Sequence, residues 1–232
     1  MIPQPWPRKA GSWLFVLNAD TTMGRITAIE PQKHNPQRVN IFIDGQFQLG
    51  LYRITAGWLH VGQEISDEKL AQLGSEDGRE AAYQQALRFL EPRVRSQAEI
   101  TRNLKGHGYP ESAITDVIER LRRGGLVDDT RFAQAWVENR NEFRPRGRRA
   151  LAMELRQRGL SEASISEATA NLDEEEMAYR AALKHARRLQ GIDWASFRQK
   201  LGGFLARRGF GYEVAAPVVR RIWDEEHSKD DS

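Results

Sequence analysis

The chain contains no cysteine, which excludes disulfides and thiolate metal sites. Histidine is scarce: His34, His60, His107, His185 and His227 lie scattered, with no paired metal spacing. Missing too are an HExxH motif, a nucleophile elbow, a P-loop and the Rossmann glycine pattern. No enzyme signature is present, and neither a cofactor nor a metal is expected. Long apolar runs are absent as well. Trp13-Leu14-Phe15-Val16-Leu17 is too short for a signal-peptide core, has no small-residue cleavage site after it, and falls far short of a membrane span. Residues 1–22 therefore read as a poorly ordered leader, with Met23-Gly24 an alternative start. The expected compartment is the cytoplasm, with no membrane partner. Nor does one charge sign dominate. Lys and Arg number 35 against 32 Asp and Glu, a net charge of +3, which admits nucleic acid as a partner without demanding it.

What the chain does have is a repeat. Leu104, Leu155 and Leu205 form one column at a spacing of about fifty residues. Ile100, Leu151 and Leu201 precede them, and Gly108, Gly159 and Gly209 follow, each trailed by Tyr109, Leu160 or Phe210. Leu121, Leu172 and Ile222 align farther on. Periods in this range mark stacked supersecondary units. The fold class is therefore mainly α: a tandem array of three three-helix repeats, preceded by a small N-terminal antiparallel β extension. Such arrays offer long surfaces to partners rather than enclosed catalytic pockets.

The extension is read from period-two spacing. Ile26 and Ile29 alternate with polar residues in 25–30, and Val39, Ile41 and Ile43 share one face of 38–44. Asp44-Gly45 supplies the positive-φ pair of a tight hairpin, and Phe47, Leu49 and Leu51 alternate on the return strand. Strands are expected only at about 25–53. Short helical turns are expected at 54–59 and 67–73, with 76–78 a linker or helix lead-in. The domains are then a leader (1–22), the extension (23–75), three repeats (76–129, 130–177 and 178–226) and an acidic tail (227–232), fraying from Asp224 onward.

Within each repeat the first helix presents an i, i+3, i+4, i+7 face: Tyr83, Ala86, Leu87 and Leu90; Phe132, Ala135, Trp136 and Asn139; Tyr179, Ala182, Leu183 and Ala186. The second helix carries the leucine column and stops at the aligned glycine, suited to the left-handed residue that ends a helix. The third opens near Pro110, Ser161 or Gly211, with Ser161 an N-cap. Its buried positions are Ile114, Ile118 and Leu121 in the first repeat. They are Ile165 and Leu172 in the second, with Thr169 a polar exception, and Ala215, Val219 and Ile222 in the third.

Three strings stand out. In Asp128-Asp129-Thr130-Arg131-Phe132-Ala133, Asp128 can cap a helix, Asp129 complements its positive end, and Phe132 begins the buried face. Adjacent aspartates diverge on a helix and no histidine is near in sequence, so a structural role is preferred to a catalytic one. Arg140, Arg144, Arg146, Arg148, Arg149, Arg156 and Arg158 form the densest basic run, across a Pro/Gly loop. It serves either as a site for phosphate or an acidic surface, or as a solvated charge run. Asp173-Glu174-Glu175-Glu176 complements a helix N-terminus and lacks calcium-loop spacing.

These residues resemble the RecX family of bacterial regulatory proteins over roughly 23–225. The most specific part is Gly125-Leu126-Val127-Asp128-Asp129-Thr130-Arg131-Phe132-Ala133 with Trp136-Val137. Arg146-Gly147-Arg148-Arg149, Leu151, Leu155 and Gly159-Leu160 follow at the family's spacing. Ser96, Glu99, Leu104 and Gly108-Tyr109 match the first repeat, and Asn40-Ile41-Phe42-Ile43-Asp44-Gly45 resembles the β extension of some members. The leader departs from the usual start, and the third repeat is more divergent. The resemblance implies a monomeric, non-enzymatic protein of DNA repair, homologous recombination and the SOS response. Such a protein binds the RecA filament on single-stranded DNA and modulates it, most often by inhibiting ATPase and strand exchange. An elongated, curved array lying in the filament groove is also implied. Two other readings stay open: a direct DNA-binding protein of tandem helix-turn-helix-like modules, and a helical-repeat adaptor for another partner.

Overall fold

The computed structural model describes residues 23–227; the expected leader at 1–22 and the tail at 228–232 lie outside the described residues. Four antiparallel strands come first. They are β1 (Met23–Gln32), β2 (Asn35–Ile43), β3 (Gln46–Tyr52) and β4 (Glu64–Ser66), in the order β3-β2-β1-β4. Asp44 and Gly45 both adopt positive φ, 48° and 79°, the geometry that matches a two-residue hairpin to strand twist. Ile26, Val39, Ile41, Ile43, Leu51 and Ile65 form one buried face.

Two expectations for this region are corrected, and a third, left open between two readings, is resolved. β4 lies beyond 25–53, pairing Met23, Gly24 and Arg25 with Ser66, Ile65 and Glu64. Phe47 is exposed and meets Phe42 edge-on, because a register shift pairs Ile41 with Leu49 but Phe42 with Phe47. The extra residue of that bulge puts Phe47 and Leu49 on opposite faces. The 76–78 segment, expected as a linker or a helix lead-in, is helix: after α1 (Arg53–Ala56), α2 runs unbroken over Asp67–Leu90. Ser66 caps α2 by accepting the Lys69 N–H. On its inner face stand two carboxylates. Asp77 accepts from Arg38 at 2.7 Å and from the Tyr52 N–H, while Glu80 accepts from Arg120 at 2.6 Å. Burial pushes the Asp77 carboxyl upward, and the Tyr52 N–H and Arg38 oppose the shift.

The remaining helices are α3 (Gln97–Gly106), α4 (Glu111–Arg123), α5 (Asp129–Phe143), α6 (Arg148–Gln157), α7 (Glu162–Thr169), α8 (Glu174–Ala186), α9 (Trp194–Arg207) and α10 (Tyr212–His227). With the second half of α2 they make three three-helix repeats. By contact, the chain divides into two compact units. One holds residues 23–93 with 100–123, and the other 94–99 with 124–227. Repeats two and three share one core, which includes Leu151, Leu155, Leu201 and Leu205. The first helix of repeat two is out of the expected phase. Ala135 and Asn139 are exposed, and Phe132, Ala133 and Val137 are buried instead, because Val137 supplies apolar bulk that Asn139 lacks. Leu172 lies past the end of α7, half-buried. Asp224 and Glu225 do not fray: they sit within α10, paired with Arg220 and Arg221 at i, i+4.

The glycine column closes helix two identically three times. Gly108, Gly159 and Gly209 have φ of 83°, 81° and 85°. The N–H groups of Tyr109, Leu160 and Phe210 each donate to the carbonyl of Leu104, Leu155 or Leu205 at 3.2 Å, the long bond of a Schellman motif. In the second unit these corners are also joints. Ser96 Oγ donates to the Arg158 carbonyl at 2.7 Å, and the Gly147 N–H donates to the Arg208 carbonyl at 2.9 Å. Each bond sets the N-terminus of one helix two against the corner of the next. Ser96 and Glu99 form a capping box, and the Gln97 N–H donates to Asp129.

The joints separate two costs of adding a methyl group. A Cβ on Gly108 would meet nothing within 4 Å, whereas one on Gly209 would lie 2.6 Å from the Ala150 nitrogen. Gly108→Ala should lose only the left-handed preference, about 1–2 kcal/mol. Gly209→Ala should lose clearly more. Urea unfolding of the two variants checks this, and equal losses would show that the close approach at Ala150 contributes nothing.

Candidate anion-binding cleft

Asp128 and Asp129 both accept main-chain hydrogen bonds. Asp128 accepts from the Thr130 and Arg131 N–H groups at 2.9 and 3.0 Å, satisfying two open donors at the start of α5. Asp129 turns to the Gln97 N–H. Arg131 is exposed, and Phe132 is buried beside the Trp136 ring.

The seven arginines of the basic run are not gathered into one site. Glu154 accepts from Arg140 and from the Trp136 indole, each at 2.8 Å, and pairs with Arg146 at 2.9 Å. Arg148 pairs with Glu174, which also accepts the Arg148 backbone N–H at the start of α6. Arg156 makes a two-pronged pair with Glu162. Arg158 lies 3.7 Å over the Trp136 ring and pairs with Glu99. Five of the seven thus have carboxylate partners within the chain. The exposed Arg144 and Arg149 make no ion pair among the described residues. Reversing Arg146 or Arg148 to glutamate would set two carboxylates together, so neither is a clean probe of binding.

A different cluster assembles around Arg144. A cavity of about 480 Å³ opens between the loop after α5, the helix α8 and the end of α9. The loop supplies Phe143, Arg144, Pro145 and Arg146. From α8 and the turn after it come Arg180, Lys184, His185 and Arg188; α9 and its C-cap give Phe204, Arg207 and Arg208. No carboxylate lines it. Arg180 and Arg208 donate to the Glu142 and Pro145 carbonyls, both at 3.3 Å, and so pin the loop as one wall. Lys184, Arg188 and Arg207 make no ion pair among the described residues. His185 stacks on Phe204 with centroids 4.2 Å apart, and Arg208 lies 4.8 Å from the same ring.

Burial, reinforced by neighbouring cations, disfavours the protonated form of two groups here. Burial, then Arg188, Arg207 and Arg208, hold the His185 imidazole below its ordinary value. Arg208 is lowered by burial and then by Arg146 and Arg144. A concave wall of one sign focuses its field on whatever anion enters. The sequence reading found Arg144 and Arg146 but missed the α8 and α9 cations. Their signal was present: Arg180, Lys184 and Arg188 recur at four-residue spacing along one helix side, and Arg207-Arg208 stands just before the corner glycine. Among the described residues, no group of three His, Asp or Glu is placed to hold a metal. No described helix is long and apolar enough to cross a membrane.

Comparison with known proteins covers nearly the whole described chain. The family model described as the regulatory protein RecX N-terminal domain matches residues 24–66. Those described as the first, second and third RecX three-helix domains match 82–121, 128–168 and 173–219. The regulatory protein RecX of Streptomyces coelicolor is 38% identical over 143 residues, 60% of this chain and 76% of that one. The one from Clostridium perfringens is 29% identical over 213 residues, 88% and 99% of the two chains. A crystal structure of regulatory protein RecX superposes with a TM-score of 0.72 at 26% identity, covering 84% of this chain and 98% of the other.

The cleft histidine sets a pH dependence. Unfolded, His185 protonates near 6.5; folded, it is held lower. The folded state therefore binds fewer protons between the two values. This contribution to stability is complete above 6.5 and is lost as pH falls through the lowered value. Melting temperatures recorded from pH 7.5 down to 5 should fall less for His185→Phe than for the parent. Parallel curves would mean that the cleft does not disfavour the imidazolium.

Proposed function

The chain belongs to the RecX family of regulatory proteins, and from that membership we propose that it binds the RecA recombinase filament on single-stranded DNA and restrains it, lowering ATPase and strand-exchange activity. It acts as a monomer in the cytoplasm and carries out no chemistry of its own. The relatives it matches are named regulatory proteins, which supports that reading. The cleft is the surface turned to the filament. The observation that carries this is its charge. Arg144, Lys184, Arg188 and Arg207 share one concavity with no carboxylate in its lining. Most of the other arginines of the middle repeat are neutralised by Glu99, Glu154, Glu162 or Glu174. A filament of protein on DNA offers the negative charge this cleft lacks. Exposed cations contribute little to folding, so they are free to be spent on association.

DNA-dependent RecA ATPase, titrated with the parent protein and with Arg144→Glu/Arg188→Glu/Arg207→Glu, tests the reading. The parent should suppress turnover, and the triple variant should need on the order of tenfold more protein, as expected for lost charge complementarity at close range. Arg156→Ala, which opens only the exposed pair with Glu162, should match the parent. Suppression by the parent but equally by the triple variant would remove the cleft from the contact. No suppression by either would remove the function.

A further inference from the structure

The chemistry of the cleft says more about what enters it. This step rests on the cleft being a contact surface, and names its occupant. Three features narrow the choice. The first is the density of unneutralised charge. Arg144, Lys184, Arg188 and Arg207 converge without an acidic neighbour in the lining, so the occupant carries several negative charges at short spacing. The second is donor geometry. Three of these four are guanidinium forks, whose paired N–H groups match the two free oxygens of a phosphodiester as well as a carboxylate. The third separates those two. Phe143, next to Arg144 at the cleft mouth, leaves 68% of its surface exposed. Phe204 is different: its ring is occupied by His185 and Arg208 and holds those groups in place. An acidic peptide gains little from a bare phenyl face beside a basic groove. A nucleic-acid strand uses both, with its backbone along the cations and a base on the ring.

We infer that the cleft between the 143–146 loop, α8 and α9 is a phosphodiester site for single-stranded nucleic acid, with phosphates on Arg144, Lys184, Arg188 and Arg207 and one base stacked on Phe143. The site binds the strand directly and needs no RecA to do so. Its volume, about 480 Å³, is that of a nucleotide-sized pocket, so one or two nucleotides lie inside and the strand runs out through the open mouth.

Fluorescence anisotropy of a short labelled oligothymidylate with the full chain, and no RecA, tests this. Binding should weaken steeply with salt. Arg144→Gln/Arg188→Gln/Arg207→Gln should reduce affinity on the order of tenfold or more and flatten the log–log salt slope by about 2, given roughly 0.7 per phosphate contact on a single strand. Those substitutions remove no ion pair, so the urea midpoint and circular dichroism should match the parent. Arg149→Gln, an exposed arginine outside the cleft, should stay near parental affinity. Phe143→Ala should weaken the oligothymidylate about fivefold or more yet leave an abasic oligomer of equal length unchanged. Equal binding by the triple variant and the parent overturns the site. So does polyglutamate that competes as well as the oligonucleotide charge for charge, because the occupant is then an acidic protein segment. Because RecA is absent, failure here leaves the ATPase result standing, so the loss of this site and the loss of the filament reading are told apart.

Discussion

Everything in the second unit depends on a backbone that can turn left at one residue. At Gly159 and Gly209 the chain ends a helix with positive φ and offers the carbonyl just before the glycine to the N-terminus of a preceding helix. A side chain would fail twice at these positions: by the intrinsic cost of the left-handed conformation, and by collision with Ala98 or Ala150. The joint is thus made of main chain on one side and a small or absent side chain on the other. That is why Ser96 and Gly147, chemically unlike, occupy the same place. The first terminates an orphan carbonyl with its hydroxyl, the second with its N–H.

Much of this was legible before any coordinates. A column of leucines followed at fixed distance by glycine and then a bulky apolar residue is the signature of a closed helix end, and Leu104, Leu155 and Leu205 are all fully buried. Two of the misreadings share a cause, which is polar groups doing the work of apolar ones. α2 hides its length because its inward positions 77 and 80 are carboxylates, satisfied by Arg38 and Arg120 from elsewhere in the chain. Nothing local announces those partners. The phase of α5 was misjudged because Trp136 sits half-buried, its indole N–H held by Glu154, while Ala133 and Val137 fill the core. At Phe47 the alternation is intact in sequence and broken in space by one bulged residue.

The basic site was legible only in part. Density along the sequence picked out 140–158, yet proximity in sequence says nothing about where the carboxylates are. Folding brings Glu99, Glu154, Glu162 and Glu174 onto that run and leaves few of its cations unpaired. The cleft draws on three segments instead, and two of them carry too few cations each to stand out by density. Net charge misled in the same way. A total of +3 is compatible with near-complete local neutralisation in one place and a concave positive wall in another.

The joints also have a direction. A helix N-terminus acts as plug and a glycine corner as socket, and the two surfaces are different, so the contact is head-to-tail. Contacts of that kind do not close on themselves and have no intrinsic stopping point. At one end the four-stranded sheet is fused to the first repeat through the single helix α2. At the other, α10 is extended, with Trp223 set edge-on to Trp194 and Phe197. The joint itself therefore carries no information about how many repeats follow one another.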